Sequence, residues 1–330
     1  MTTLTSPHDL LAAVPFLVGY HPTDSLVLIS LIDERIGLAM RVDFPTEADP
    51  EQIDSLASHL VREKSDGALI VAYLPDSISE SDYLLTPLQE AIELRGVPIR
   101  ECLEIKKGNW RSLLCADLHC CPTSGNPLPE LSDSRIVAEQ VVRGRRLPYK
   151  DLDEMRASLT SLKPDTILNR KIKAFPEIDY ESNAVREHQR DGALAVTQLL
   201  ADFQSDGKCE DRDLVARVLA RLQDLRVRDY AMGITTSENI ESLQTMWHWL
   251  MRAAPKGYIA PVATLFAAVA YENGDGALAG RALDRAFEDD LTYSLAKLLR
   301  RVFAAGWPPE SFTRMRGELH PKICAAIFGE

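Results

Sequence analysis

The 330-residue chain carries 49 acidic against 37 basic side chains, for a net charge of −12 and a pI near 5.2. That balance argues against a nucleic-acid coat, which needs a clustered basic face, and against an anionic membrane surface; the longest apolar runs, Leu10–Tyr20 and Leu26–Ile32, are too short to span a bilayer. The length suggests about two domains, the 45% hydrophobic content supports a packed core, and six cysteines in so long a chain fit a reducing compartment, so a soluble cytoplasmic protein is expected.

Ser6-Pro7-His8-Asp9 opens a helix, with serine at the cap and proline first inside it. Its apolar run Leu10, Leu11, Val14 is interrupted by Pro15 and ends at Gly19. Tyr20–Asp24 is a turn. Ser25–Asp33 and Ile36–Phe44 read as two strands joined over Glu34-Arg35. A helix over Pro50–Lys64 puts Ile53, Leu56, Ala57 and Leu60 on one face. Ala68–Leu74 is almost wholly apolar, the pattern of a strand buried on both faces. A helix over Glu80–Arg95 ends at Gly96, and strands Ile99–Lys106 and Asn109–Cys115 form a hairpin around Lys107-Gly108. The order ββαβαββ predicts an α/β fold, a mixed sheet with flanking helices.

After Pro127 strand character is lost. Ser134–Val142 reads as a helix, Arg143–Pro148 as a basic break, and Leu162–Tyr180 as a polar, proline-punctuated junction. From about Ser182 onward the pattern is helical. The expected organisation is an α/β domain over 1–150, a linker over 151–184 and an all-α bundle over 185–330. Asp191-Gly192-Ala193-Leu194-Ala195 recurs as Asp275-Gly276-Ala277-Leu278-Ala279, which suggests a duplicated helical unit. Ala263, Phe266, Ala267 and Ala270, followed by Ala279, Leu283 and Ala286, look like one tetratricopeptide helix pair; a free-standing solenoid needs about three.

Cys115, Cys120 and Cys121 fall within seven residues, the densest group of reactive side chains in the chain. Cys115-x4-Cys120 has the spacing of a metal-ligand pair, with Cys121 and His119 as adjacent candidates and zinc as the ion. Neighbouring residues rarely point at one ion, so at most one of each adjacent pair is expected to ligate. Asp117 offers an oxygen. Cys102 would lie diagonal to Cys115 if the Lys107-Gly108 turn is a two-residue loop. Three readings stay open: buried thiols, a structural metal site, and a redox pair that needs a lowered thiol pKa.

His21, Asp24 and Ser25 invite a catalytic triad, but three residues within five positions do not readily line up as base, orienter and nucleophile. A locally capped turn is the alternative. Arg41 and Asp43 alternate with Met40, Val42 and Phe44, so both charges share one strand face, either solvated or lining a cleft. Trp110 follows the hairpin tip, where it packs on the sheet edge or stacks on a ligand. The chain has no phosphate-binding glycine loop, no zinc-protease helix and no nucleophile elbow.

The segment Leu10-Leu11-Ala12-Ala13-Val14-Pro15-Phe16-Leu17-Val18-Gly19-Tyr20-His21-Pro22-Thr23-Asp24-Ser25-Leu26-Val27 resembles the N-terminal signature of a bacterial family, domain of unknown function 4192 (DUF 4192). Gly108-Asn109-Trp110-Arg111-Ser112, with Cys115 and Cys120-Cys121-Pro122, is similar to its central motif. Arg41–Pro45 and Gly274–Ala279 look like further family segments, so the resemblance covers nearly the whole chain. Arg111 stands where members often carry a second aromatic, and Cys102 is outside the motif. The resemblance implies that these segments belong to one protein type, and it brings no activity.

Three functions follow as expectations. One is an interaction or scaffold protein whose helical domain binds a protein partner and whose cysteine hairpin is structural. Another is an enzyme whose cleft gathers the His21–Ser25 turn, Arg41 and Asp43, and the Trp110–Cys121 segment. The third is a thiol sensor using Cys120 or Cys121.

Overall fold

The computed structural model describes residues 4–62, 64–130, 134–142, 146–176, 179–180 and 184–329. Of the basic break, Arg143, Gly144 and Arg145 lie outside the described residues. The chain forms two compact units, Met1–Met155 and Arg156–Glu330.

In the first unit, α1 (Pro7–Val18) begins as its sequence dictates. The Ser6 hydroxyl accepts the Asp9 amide, Pro7 occupies the first turn, and Gly19 closes the helix in the left-handed region. The helix continues through Pro15 instead of breaking there. Pro15 has no N–H to offer the Leu11 carbonyl one turn earlier.

Strands β1 (Ser25–Ile32) and β2 (Arg35–Asp43) form an antiparallel hairpin. Its turn is Asp33-Glu34, one residue earlier than expected. Both adopt positive φ, +50° and +61°, the geometry of a type I′ turn, and the Asp33 amide is held by the Asp66 carboxylate at 2.6 Å. Beyond the turn, β2 carries one extra residue, and the Leu38 amide donates to Ser30 Oγ at 2.7 Å.

The sheet has the order β2-β1-β3-β4-β5-β6, with β3 (Gly67–Tyr73), β4 (Ile99–Lys106), β5 (Asn109–Ser112) and β6 (Asn126–Pro127). Between β2 and β3 lies α2 (Pro50–Arg62), and α3 (Asp82–Glu93) crosses over from β3 to β4. Only β3 and β4 pair in parallel; the other neighbours are antiparallel. Leu26, Leu28, Ile70, Ala72 and Cys102 pack with Ile53, Ala57 and Leu60 of α2 and Leu84, Leu85 and Leu88 of α3. The register puts Val27, Val71 and Leu103 on the opposite face, followed by Arg41, Tyr73, Ile105 and Trp110. α4 (Arg135–Val142) packs on α1 through Ile136, Ala12 and Ala13.

Two boundaries differ from the sequence reading in ways that matter. β5 stops at Ser112, not Cys115. The Ser112 hydroxyl donates to Glu101 Oε1 at 2.6 Å and accepts the Leu114 amide, which turns the chain out of the ladder. After a long loop the chain returns as β6, a two-residue strand that composition does not announce.

The segment α5 (Leu152–Ser158) leads into the second unit, which is helical throughout: α6 (Thr166–Lys173), α7 (Val185–Asp206), α8 (Arg212–Arg221), α9 (Leu225–Gly233), α10 (Ile240–Ala253), α11 (Ile259–Glu272), α12 (Gly276–Asp289), α13 (Ser294–Ala304) and α14 (Pro309–Phe328). α11 and α12 pack together as expected, burying Ala263, Phe266, Ala267 and Ala270 with Ala279, Leu283 and Ala286. The Asp191/Asp275 echo is not a structural repeat. Asp275 caps the start of α12, accepting the Leu278 amide, whereas Asp191 sits inside α7 and pairs with Arg221 at 3.0 Å.

Candidate functional site

A cavity of about 900 Å³ opens at the carboxyl ends of the parallel strands β3 and β4. Ligands of open α/β sheets favour this position, because neighbouring loops diverge there and leave a crevice. Four chain segments wall it: the turn before β1 (His21, Pro22, Thr23, Asp24), the end of β3 and its loop (Tyr73 to Ser77), the β4–β5 turn (Lys107, Gly108), and Leu128-Pro129 after β6. Leu11 and Pro15 of α1 complete the wall. Lys107 and Gly108 have φ of +48° and +78°, a two-residue type I′ turn that sets Lys107 in the wall.

Burial lowers the His21 pKa, which favours a neutral imidazole, and burial raises the Tyr73 phenol. The side chains of His21, Asp24, Tyr73, Asp76, Ser77 and Lys107 make no hydrogen bond or ion pair with any described residue.

The other candidate residues lie apart from this cavity. Ser25 is fully buried, its hydroxyl donating to the Thr23 carbonyl at 2.5 Å and accepting from Arg41 Nε at 2.8 Å. A hydroxyl so engaged is not a nucleophile waiting for His21, so the triad does not assemble. Arg41 reaches Asp43 at 2.5 Å and lies 5.9 Å from the Tyr20 ring, binding strand end to turn. Trp110 is buried, edge-on to His8 at 5.1 Å, which is the packing role. Arg111, where an aromatic was the alternative, donates to the buried Glu104 carboxylate at 2.9 Å, and Ser81 at the head of α3 donates to the same carboxylate. The sequence reading missed Tyr73, Asp76, Ser77 and Lys107. Their one signal was position, at or just beyond the ends of the strands read over Ala68–Leu74 and Ile99–Lys106.

The three cysteines form a second site. The Sγ atoms of Cys115, Cys120 and Cys121 all lie within 4.8 Å of one another. Asp117 organises them. Its carbonyl accepts the amides of both Cys120, at 3.1 Å, and Cys121, at 2.8 Å, while its carboxylate accepts the His119 amide at 2.8 Å. This single tight turn brings the sulfurs of both adjacent cysteines to one point, although neighbouring side chains rarely converge. Asn126 Nδ2 donates to the Cys120 carbonyl at 2.9 Å and ties the turn to β6. His119 is fully exposed, 3.6 Å from Asp117, and stands outside the cluster. Cys102 is also outside it. The two-residue loop is present, but β5 ends before Cys115, and Cys102 is buried in the core with burial pushing its thiol up to about 12.

Residues 7–310 match the family model described as Domain of unknown function (DUF4192). The chain belongs to the DUF4192 family. No curated protein and no solved structure matches it. The DUF4192 segment includes both the cavity walls and the three cysteines. Among the described residues, no helix is long and apolar enough to cross a membrane.

Proposed function

We propose that this chain is a zinc-binding protein in which Cys115, Cys120 and Cys121 hold a structural ion at the outer edge of the sheet. The observation that carries this reading is the convergence of three sulfurs to within 4.8 Å. Zinc–thiolate bonds of about 2.3 Å put tetrahedral sulfurs about 3.8 Å apart, so small side-chain rotations close the site. Thiolates select zinc over the hard cations. The β5–β6 loop has little else to fix it: β6 contributes only two paired residues. An ion there would fasten the loop to the sheet.

The thiol-sensor alternative is less well supported. It needs a lowered pKa, and the neighbouring sulfurs, Cys121 first and then Cys115, push the Cys120 thiol up to about 11. Native mass spectrometry of protein purified under reducing conditions, without added metal, tests the proposal. The expected result is about one zinc per chain, lost together with thermal stability in Cys115→Ser and Cys120→Ser. Metal-free protein whose three thiols are all alkylated quickly would overturn it and bring redox chemistry forward.

A further inference from the structure

The cavity at the ends of β3 and β4 shares no lining residue with the cysteine cluster, so its role stands independently of zinc. Its size is in the range that encloses a small molecule of nucleoside dimensions. Several polar side chains of the same sheet are matched within the protein: Arg41 with Asp43, Arg111 with Glu104, Ser112 with Glu101. Around the cavity, six polar side chains from three chain segments have no partner among the described residues. The Tyr73 hydroxyl is the most telling. It stands at the carboxyl end of the central strand, half-buried in the cavity wall, so its hydroxyl is free to bond a ligand there.

The charge on this wall is informative about the ligand. Asp24 and Asp76 offer two carboxylates against one ammonium, Lys107. That balance repels phosphates and carboxylates and accepts hydrogen bonds from hydroxyl or amine groups. The rest of the lining is rigid and apolar, including Pro15, Pro22, Pro75 and Pro129 with Leu74 and Ile105, surfaces suited to the face of a ring. We propose that the cavity binds an uncharged or cationic ring compound bearing hydroxyl or amine donors and no phosphate or carboxylate, a nucleoside being the representative of that class. Asp24 and Asp76 accept from its donors, Tyr73 and His21 bond its polar edge, and the prolines pack against its ring.

The full chain is titrated by calorimetry with adenosine, guanosine, cytidine and uridine, and with their 5′-monophosphates. At least one nucleoside is expected to bind with submillimolar Kd, and its monophosphate about tenfold or more weakly. Asp76→Lys should narrow or invert that preference. Tyr73→Phe should weaken nucleoside binding by roughly fivefold to tenfold without lowering the melting temperature, because the hydroxyl has no partner among the described residues. Ser77→Trp, at an exposed wall position, should abolish binding by filling the space. The inference is overturned if no nucleoside binds at millimolar concentration, if the monophosphate binds as tightly, or if binding survives Ser77→Trp.

Discussion

Cys120 and Cys121 reach one point because the chain turns through Asp117 immediately before them. Free of metal, hydrogen bonding with Cys121 and the nearness of the Cys121 and Cys115 sulfurs push the Cys120 thiol up to about 11. Zinc must displace such protons, so binding releases them and affinity rises with pH. A competition titration against a chromophoric chelator should find zinc bound about tenfold tighter or more for each pH unit between about pH 6.5 and pH 7.5. A flat profile would mean that the thiolates exist without metal, contrary to this account. The convergence of Cys115 and Cys120 was legible in their spacing. Cys121 stood beside them as a candidate, but the exclusion of His119 was not legible, because it depends on a turn whose hydrogen bonds run through a backbone carbonyl, which no residue type advertises.

Among elements, hydrophobic period carried most of the sequence reading. Ala68–Ala72 is a two-face-buried central strand, and the small residues of α11 and α12 are buried together, because alternating and helical burial both write directly into residue order. What failed was inference from similarity of letters. Asp191-Gly192 and Asp275-Gly276 are identical dipeptides in unlike places. A Cβ on Gly192 would come within 2.8 Å of Arg221 Cβ and Val227 Cγ2, where α7 approaches α8 and α9, whereas one on Gly276 would meet nothing within 4 Å. Gly192→Ala should therefore cost about 1–3 kcal/mol through overpacking. Gly276→Ala should leave stability unchanged or raise it by less than about 1 kcal/mol. Urea denaturation of the two variants checks this; equal responses would restore the repeat. The strand end at Ser112 failed for a related reason, since a serine hydroxyl bonding its own loop competes with the ladder at no visible cost to strand pattern.

For the whole molecule, both candidate sites fall in Met1–Met155, although the helical unit holds more of the chain. The cavity draws on positions from Leu11 to Pro129, and sequence reasoning found only its His21–Asp24 wall, because the rest is assembled by sheet order: β3 lies between β1 and β4. The unequal placement has a thermodynamic consequence if zinc binds as proposed. Ligand binding stabilises the folding unit that holds it. Trp110 is the sole tryptophan of the first unit, and Trp247, Trp249 and Trp307 all belong to the second. The buried Trp110 Nε1 has no hydrogen-bond partner among the described residues, so Trp110→Phe strands no acceptor there and its fluorescence melt reports the second unit alone. Subtracting that melt from the wild-type one isolates the first. Each kcal/mol lost from a unit of this size lowers its midpoint by about 2–4 °C. Chelation should accordingly shift the Trp110 component down by about 5 °C or more and leave the Trp110→Phe midpoint in place. A shift of the second component alone would sever the metal from the cysteine loop; no shift in either would leave the three sulfurs without a structural ion.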